Sequence, residues 1–444
     1  MFLSFDEAKR IVDRLLARSK AEHCLVSIAG RDDTNLRFAR GSATTNGAAS
    51  TLHMEIRSYF GKRSGSASVT GRDEETLAQA VARSEEIARA APENPETLPP
   101  LGPQKYAAGA GYDAATAAIR AVDLAAGSKR VIDAAAQRAI DVTGYSIAGP
   151  SFEAMATSAG LFAYEPRTST EFTVTARNRA GTWSGWAGVA ETRIGLLDTA
   201  RLGARALDKA AHTAPPVRLD PGRYTVILEP SAVSDLVNYM LWSMGGRPAD
   251  EGRSFFSQKG GGNKIGEQLF ADEVTIYSDS NDPVAPAPIF DPEGLPQGRT
   301  VWVEDGVLTN LAYSRYWAQY EDRSPVPATR SFVVAGGTTS TEDMIRDVKR
   351  GVLVTRLWYI RLLDAQKLVL TGLTRDGNFL IENGRIVGPA LNFRFNESPI
   401  AILANVLAVG PSERTRGGES ERPTIAAPTL LVKDFTFSSA SDAI

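Results

Sequence analysis

PGRYTVILEPSAVSDLV, residues 221–237, decides the fold. Tyr224 to Leu228 is a short run of apolar and β-branched residues, the composition of a buried strand. Pro230 suits the first turn of a helix, where its missing backbone donor costs nothing, so a helix is expected from near Ser231. Before this stretch the chain reads as α/β, and after it the pattern turns β-rich. APPVRLDPG (214–222) supplies the boundary, because proline fixes φ and removes donors.

Downstream, Glu304-Asp305-Gly306 joins TVWV to VLTNLAY, and Asn383-Gly384 joins NFLIE to RIVGP. Both pairs tolerate the positive φ of tight hairpins. A helix is expected near 340–350 and a closing strand over 429–437. ERTRGGESERP (413–423), charged and glycine-containing, reads as a mobile surface loop. Upstream, Ser4 and Glu7 form a capping box ahead of a stripe of Ala8, Ile11, Val12, Leu15 and Leu16. CLVSIAG (24–30) reads as a strand. Leu52, Met54 and Ile56 alternate with polar neighbours, the period of a half-buried strand, and a helix follows Asp73. PENPETLPPLGP (92–103) is the clearest linker. Helices are expected over 113–125, 129–139 and 196–211, with a strand at 171–176. The expected class is α+β: α/β regions at 1–91 and 104–213, then a β-rich domain at 223–444.

The 49 basic and 52 acidic residues give a net charge of -3, with no global pull toward nucleic acid or an anionic membrane. The single cysteine, Cys24, precludes an internal disulfide and suits a reducing compartment. Asp6 and Glu7 interrupt what would be the apolar core of an export signal, so the N-terminus reads as a folded helix. The apolar run at 400–410 is too short to span a bilayer.

Little in the inventory suggests chemistry. A zinc site takes three or four ligands, yet the histidines are only His23, His53 and His212. None has a partner at i+4. His23 and Cys24 are adjacent and would point to opposite faces of a strand. The acidic loops at 279–283 and 291–293 offer oxygen ligands for a hard cation, but without EF-hand spacing they read as solvated turns. Gly260-Gly261-Gly262-Asn263-Lys264 lacks the Gly-Lys-Ser/Thr of a phosphate loop. Gly149-Pro150-Ser151 lacks the second glycine of a nucleophile elbow. Trp183-Ser184-Gly185-Trp186 reads as core or domain-interface packing, with a ligand groove as the alternative. No catalytic residue, metal ligand set or cofactor emerges.

Several ordered stretches resemble the TldD/PmbA family: 37–81, GTWSGWAG, KAAHTAPP, PGRYTVILEPSAVSDLV, GRSFFSQKGG and FLIENGRIVGPALNFRFNESP. The resemblance runs over nearly the whole chain. It implies a cytoplasmic, dimeric protein with an N-terminal α/β portion and a β-rich C-terminal portion. The TldD branch is a zinc metalloprotease. It carries His-Glu-x-x-x-His on the helix after the strand and a cysteine near the C-terminus. The PmbA/TldE branch lacks these ligands and pairs with TldD around a chamber for unfolded peptides. Here Pro230 and Asp235 replace the two histidines, Ser231 replaces the glutamate, and residues 410–414 contain no thiol. The resemblance thus implies a TldE-like, non-catalytic subunit with a TldD-like partner, or with a second copy of itself. Ser231, Asp235 and Arg253 are the peptide-chamber candidates. The alternatives are a stand-alone peptide-binding homodimer and a metal-independent peptidase.

Overall fold

The computed structural model describes residues 1–418 and 424–441. The N-terminal half is built on one six-stranded antiparallel sheet. Its spatial order is Arg63–Val69, Ser42–Phe60, His23–Ala39, Ile140–Thr157, Phe162–Asn178 and Ser184–Glu191. His23–Ala39 sits at the centre, pairing with Ser42–Phe60 on one side and Ile140–Thr157 on the other. The regions at 1–91 and 104–213 therefore share a single sheet.

Strand periodicity sends the side chains of this sheet to two different environments. Val26, Ile28, Phe38, Val142, Phe152, Ala154, Phe172 and Val174, all even-numbered, are buried. They pack in two clusters with the apolar stripes of the helices Phe5–Arg18, Glu74–Ala90, Ala121–Gln137 and Thr199–Ala210. All four helices therefore cover one face. Much of the other face turns toward the C-terminal half. There Met155 and Ala163 pack against Ile289 and Phe290, while polar residues farther along line cavities.

Local signals behave as their chemistry dictates. Ser4 and Glu7 form both bonds of the capping box, and the Asp73 side chain accepts from Thr76 N. The expected helices at 113–125 and 129–139 are instead a single turn, Ala114–Ala117, and one longer helix, Ala121–Gln137. Asp113 caps the turn through Thr116 N at 2.8 Å, and the backbone N–H of Arg120 donates to Asp123 to open a new helix. The alanine-rich composition does not show this internal stop.

In the C-terminal half, strands close on themselves. Arg350–Asp364, Gly222–Leu228, Leu430–Ser441, Asn392–Glu397 and Val369–Glu382 follow one another, and the last pairs back onto the first. A second sheet runs in the order Val307–Leu308, Thr300–Glu304, Ile276–Ser278, Phe332–Val334, Ile425–Ala427, Glu413–Thr415. The helix Pro230–Trp242 packs against strands of both. Ala232, Val233, Leu236, Val237 and Met240 are buried on it, and each buried Val or Leu contributes roughly 1.5–3 kcal/mol relative to exposure. Both hairpins have the predicted turns. Asp305 and Gly306 have φ of 47° and 80°, and Asn383 and Gly384 have 49° and 76°, as type I′ turns require.

The expectation of a mobile loop over 413–423 needs correction. Glu413–Thr415 is a strand paired with Ile425–Ala427, and Arg414 is only 9% exposed. It also packs against the distant strand Ser184–Glu191, so local charge density misreads it as solvated. Residues 419–423 lie outside the described part. The apolar run at 400–410 splits into the helix Pro399–Ala404 and the strand Val406–Val409. Among the described residues, no helix is long and apolar enough to cross a membrane.

Candidate functional site

The strand Gly222–Leu228 ends at Glu229, which is the N-cap of the helix Pro230–Trp242 but makes no capping bond with its side chain. Its carboxylate turns instead to the helix Thr199–Ala210. Lys209 Nζ lies 2.6 Å from Glu229 Oε2, and Arg205 Nη2 lies 3.8 Å from the same oxygen. Arg205 Nη1 reaches Glu413 Oε1 at 2.8 Å, and Arg201 Nη1 reaches Glu413 Oε2 at 3.4 Å. Arg201, Arg205 and Lys209 are spaced by four, so they share one helix face. Gly185 allows that helix to come close: a Cβ there would stand 2.4 Å from Ala206 O and 2.5 Å from Lys209 Cβ.

The cluster is tightly filled. Only about 20 Å³ of free space remains among Trp186, Arg205, Glu229, Ser231 and Glu413. Burial pulls the Lys209 ammonium down to about 8, against the opposing pull of Glu229. Glu229 raises Arg205. The negative charge of Glu229 also stands at a helix N-terminus, where the macrodipole favours it.

Ser231 and Asp235 serve the main chain. Ser231 Oγ donates to Arg416 O at 2.8 Å, and Gly418 N donates to Asp235 Oδ2 at 2.9 Å. Together they pin residues 416–418 onto the buried helix. Pro230 is buried beside them and offers no donor atom. A zinc ion does not fit here. Proline has no ligating group, Ser231 and Asp235 already hold backbone, and Glu229 faces an ammonium and a guanidinium. Among the described residues, no group of three or more His, Cys, Asp or Glu is arranged to hold a metal.

A second, larger cavity of about 240 Å³ opens on the other side of Arg414. It is walled by Ser151, Glu153, Glu165, Arg167, Thr170, Glu171 and Glu191 from the sheet, and by Arg330, Arg414 and Thr424 from the C-terminal half. Arg167 is engaged by Glu165 at 2.7 Å and by the carbonyls of Pro286 and Ala287. Arg416 Nε lies 2.8 Å from Glu171. Arg414 Nε is 3.4 Å from Glu191 Oε2, and neither it nor Arg416 Nε has hydrogen-bond alignment with its carboxylate. Arg414 Nε and Nη1, Glu191 Oε2 and Thr170 Oγ1 are buried with no hydrogen-bond partner among the described residues. Such a group costs about 1–3 kcal/mol. Burial lowers Arg414 and raises Glu191. Glu153 lines the cavity with its side chain exposed, and its carboxyl is raised by desolvation and then by Glu165.

Arg253 does not join these residues. It follows the helix Gly246–Asp250, its side chain is 59% exposed, and its Nε donates to Glu251 at 2.9 Å. Trp183 and Trp186 are buried between the halves, Trp183 against Phe379 and Trp186 beneath Arg356. The acidic loops hold their own backbone: Asp282 Oδ1 accepts from Val284 N and Ala285 N, and Asp291 Oδ1 from Glu293 N and Leu295 N. Lys209, Arg205, Glu229, Glu413, Arg414 and Glu191 were not singled out from sequence. The one available signal was the spacing of Arg201, Arg205 and Lys209 along a helix.

Two family profiles match in order. The PmbA/TldA metallopeptidase domain 1 matches residues 25–88, and the PmbA/TldA metallopeptidase C-terminal domain matches residues 221–439. An uncharacterized protein of Methanocaldococcus jannaschii is 30% identical over 164 residues, covering 36% of this chain and 38% of the relative. A metalloprotease of Methanothermobacter thermautotrophicus is 25% identical over 239 residues, 49% of each chain. The chain thus spans half or less of the length of these curated relatives. TldE from Thermococcus kodakarensis superposes with a TM-score of 0.85 at 18% identity, covering 97% of this chain and 99% of that one. A putative modulator of a DNA gyrase from Thermotoga maritima gives 0.83 at 18%, with the same coverage. At such identity these structures establish a shared fold. With both profiles in sequence and the fold shared end to end, the chain belongs to the PmbA/TldD family.

Proposed function

We propose that this chain is a TldE-like subunit that has no metal centre of its own and completes the peptide chamber of a TldD-like zinc protease. One observation carries the proposal. Where the zinc branch would place its ligands, Pro230, Ser231 and Asp235 are buried, with Ser231 and Asp235 tied to residues 416–418. The adjoining space is filled by Lys209 and Arg205 paired with Glu229 and Glu413. A serine hydroxyl bound to a carbonyl lacks the base that a nucleophile needs, which weighs against independent hydrolysis. The partner is a TldD-like chain, or a second copy in a homodimer, and the substrate is an unfolded peptide. A cytoplasmic location goes with this reading; no nucleic-acid or membrane partner is part of it.

The test combines metal analysis with a peptidase assay. The purified chain alone is expected to hold no stoichiometric zinc and to cleave nothing. Mixed with a cognate His-Glu-x-x-x-His chain, it is expected to form a complex whose cleavage of unfolded peptide is abolished by chelator. Stoichiometric zinc in this chain alone refutes the proposal. A stable homodimer that binds peptide but ignores the cognate chain replaces it with the homodimeric alternative.

A further inference from the structure

The cavity beside Arg414 lies beyond the zinc-motif positions and has a chemistry of its own. Arg414 is 9% exposed and lines this space. Its Nε meets Glu191 only at 3.4 Å, and its Nη1 has no acceptor among the described residues. Thr170 Oγ1 borders the same space, fully buried and also without a partner. Arg330 stands at the exposed rim. A guanidinium presents its donors as a planar fork matched to two oxygens, and a hydroxyl adds one more donor.

Two of the other carboxylates of the wall have cationic partners. Glu165 is held by Arg167 and by the N–H of Ile289, and Glu171 by Arg416. Arg167 is held by carbonyls as well as by Glu165, so it forms wall rather than donor surface. Burial raises the Glu191 carboxyl, which softens its repulsion of an incoming anion. A doubly charged phosphate would still face all four carboxyls, whereas a singly charged carboxylate faces less repulsion. The space also continues along the sheet. A neighbouring cavity lined by Tyr145, Thr51 and Arg416 shares Arg31, Ile147 and Glu171 with this one, which leaves room for the rest of a chain.

We propose that this cavity is a carboxylate-binding subsite, in which Arg414 and Thr170, with Arg330 at the rim, receive a carboxylate carried by a bound peptide. The carboxylate is either the chain terminus or an acidic side chain. The proposal rests on the peptide-chamber reading above and deepens it by assigning a substrate feature.

The test measures binding of labelled, unstructured peptides to the purified full-length chain by fluorescence anisotropy. Two peptides share one sequence, one with a free C-terminal carboxylate and one amidated; a third is amidated and carries one internal Asp substitution. The free acid is expected to bind about tenfold or more tighter than the amidated form, as a charge-assisted contact implies. Arg414→Met is expected to erase that preference. Arg330→Ala, a rim change that spares the core, is expected to reduce the preference while leaving the amidated peptide unaffected, and it decides the matter if Arg414→Met does not fold. Tight binding of the Asp-containing peptide assigns the subsite to acidic side chains, and weak binding assigns it to chain ends. Equal binding of all three peptides, or a preference that survives both substitutions, overturns the subsite and leaves the peptide-chamber reading standing. If no peptide binds either the chain alone or its chelator-treated complex with the cognate His-Glu-x-x-x-His chain, both fall.

Discussion

Glu413 and Arg414 are neighbours on one short strand, yet they enter two different charge clusters. Glu413 joins Arg201, Arg205, Lys209 and Glu229 in a space of about 20 Å³, where every charge meets an opposite one. Arg414 faces about 240 Å³ of cavity, with two nitrogens that form no hydrogen bond among the described residues. The residue types are the same, but the free space beside them differs. A buried ion-pair cluster whose members satisfy one another can only hold the two halves of the molecule together. One that leaves donors over, beside open space, is equipped to hold something else. Low dielectric sharpens the difference, because unmatched groups are costliest there.

The largest test of this contrast is Glu229→Gln. It strands the Lys209 ammonium and weakens the hold on Arg205, and breaking a buried pair in this way costs about 3–5 kcal/mol. A matching drop in the urea midpoint at constant m is the expected result; an unchanged midpoint would show that the filled cluster is not a staple. Next comes the alkaline limb of the stability curve. Burial holds Lys209 at about 8 in the folded chain, below its ordinary 10.5. Between those values the unfolded chain binds more protons, so stability rises with pH across pH 8 to 10.5. The rise is at most about 3 kcal/mol. Subtracting the same curve for Lys209→Met isolates it, and a flat difference removes the buried charge from the account.

Arg414→Met sharpens the comparison from the roomier side. Arg414 Nε and Nη1 form no hydrogen bond among the described residues, and Glu191 is already raised by burial. The expected loss is about 1–2 kcal/mol, the scale of one imperfect polar contact, and clearly less than for Glu229→Gln. Equal losses would mean that the two clusters play the same part. Ser231→Ala is the smallest change. It removes one hydrogen bond to Arg416 O and should cost about 1 kcal/mol by thermal melting, with no effect on complex activity beyond that of stability.

Much of the architecture was legible because its determinants are local. Ser4 with Glu7, Asp73, Asp305-Gly306 and Asn383-Gly384 each act over a few residues, and each sits where its chemistry requires. The α+β class followed from them. Ile140–Thr157 was harder to see. Tyr145, Ile147, Ser151 and Glu153 line cavities rather than a dry core, so the strand shows neither clean alternation nor a continuous apolar run. Ser231 and Asp235 were singled out from their motif positions, and the structure finds them anchoring backbone. Arg253 was singled out too, and it stands apart on the surface. The charges that fill the site went unread, because Lys209 and Glu229 are 20 residues apart and Arg205 and Glu413 are 208.

By itself the sequence determined where helices begin, where hairpins turn, which strands carry a buried face, and that imidazoles and thiols are scarce. These depend on near-neighbour sterics and on composition. Only the tertiary structure decided that one strand brings Glu413 into a tightly filled ion-pair cluster and Arg414 to the wall of a roomier cavity. Burial and partner geometry are set by elements far apart in the chain, and those two quantities separate a structural charge from one free to bind.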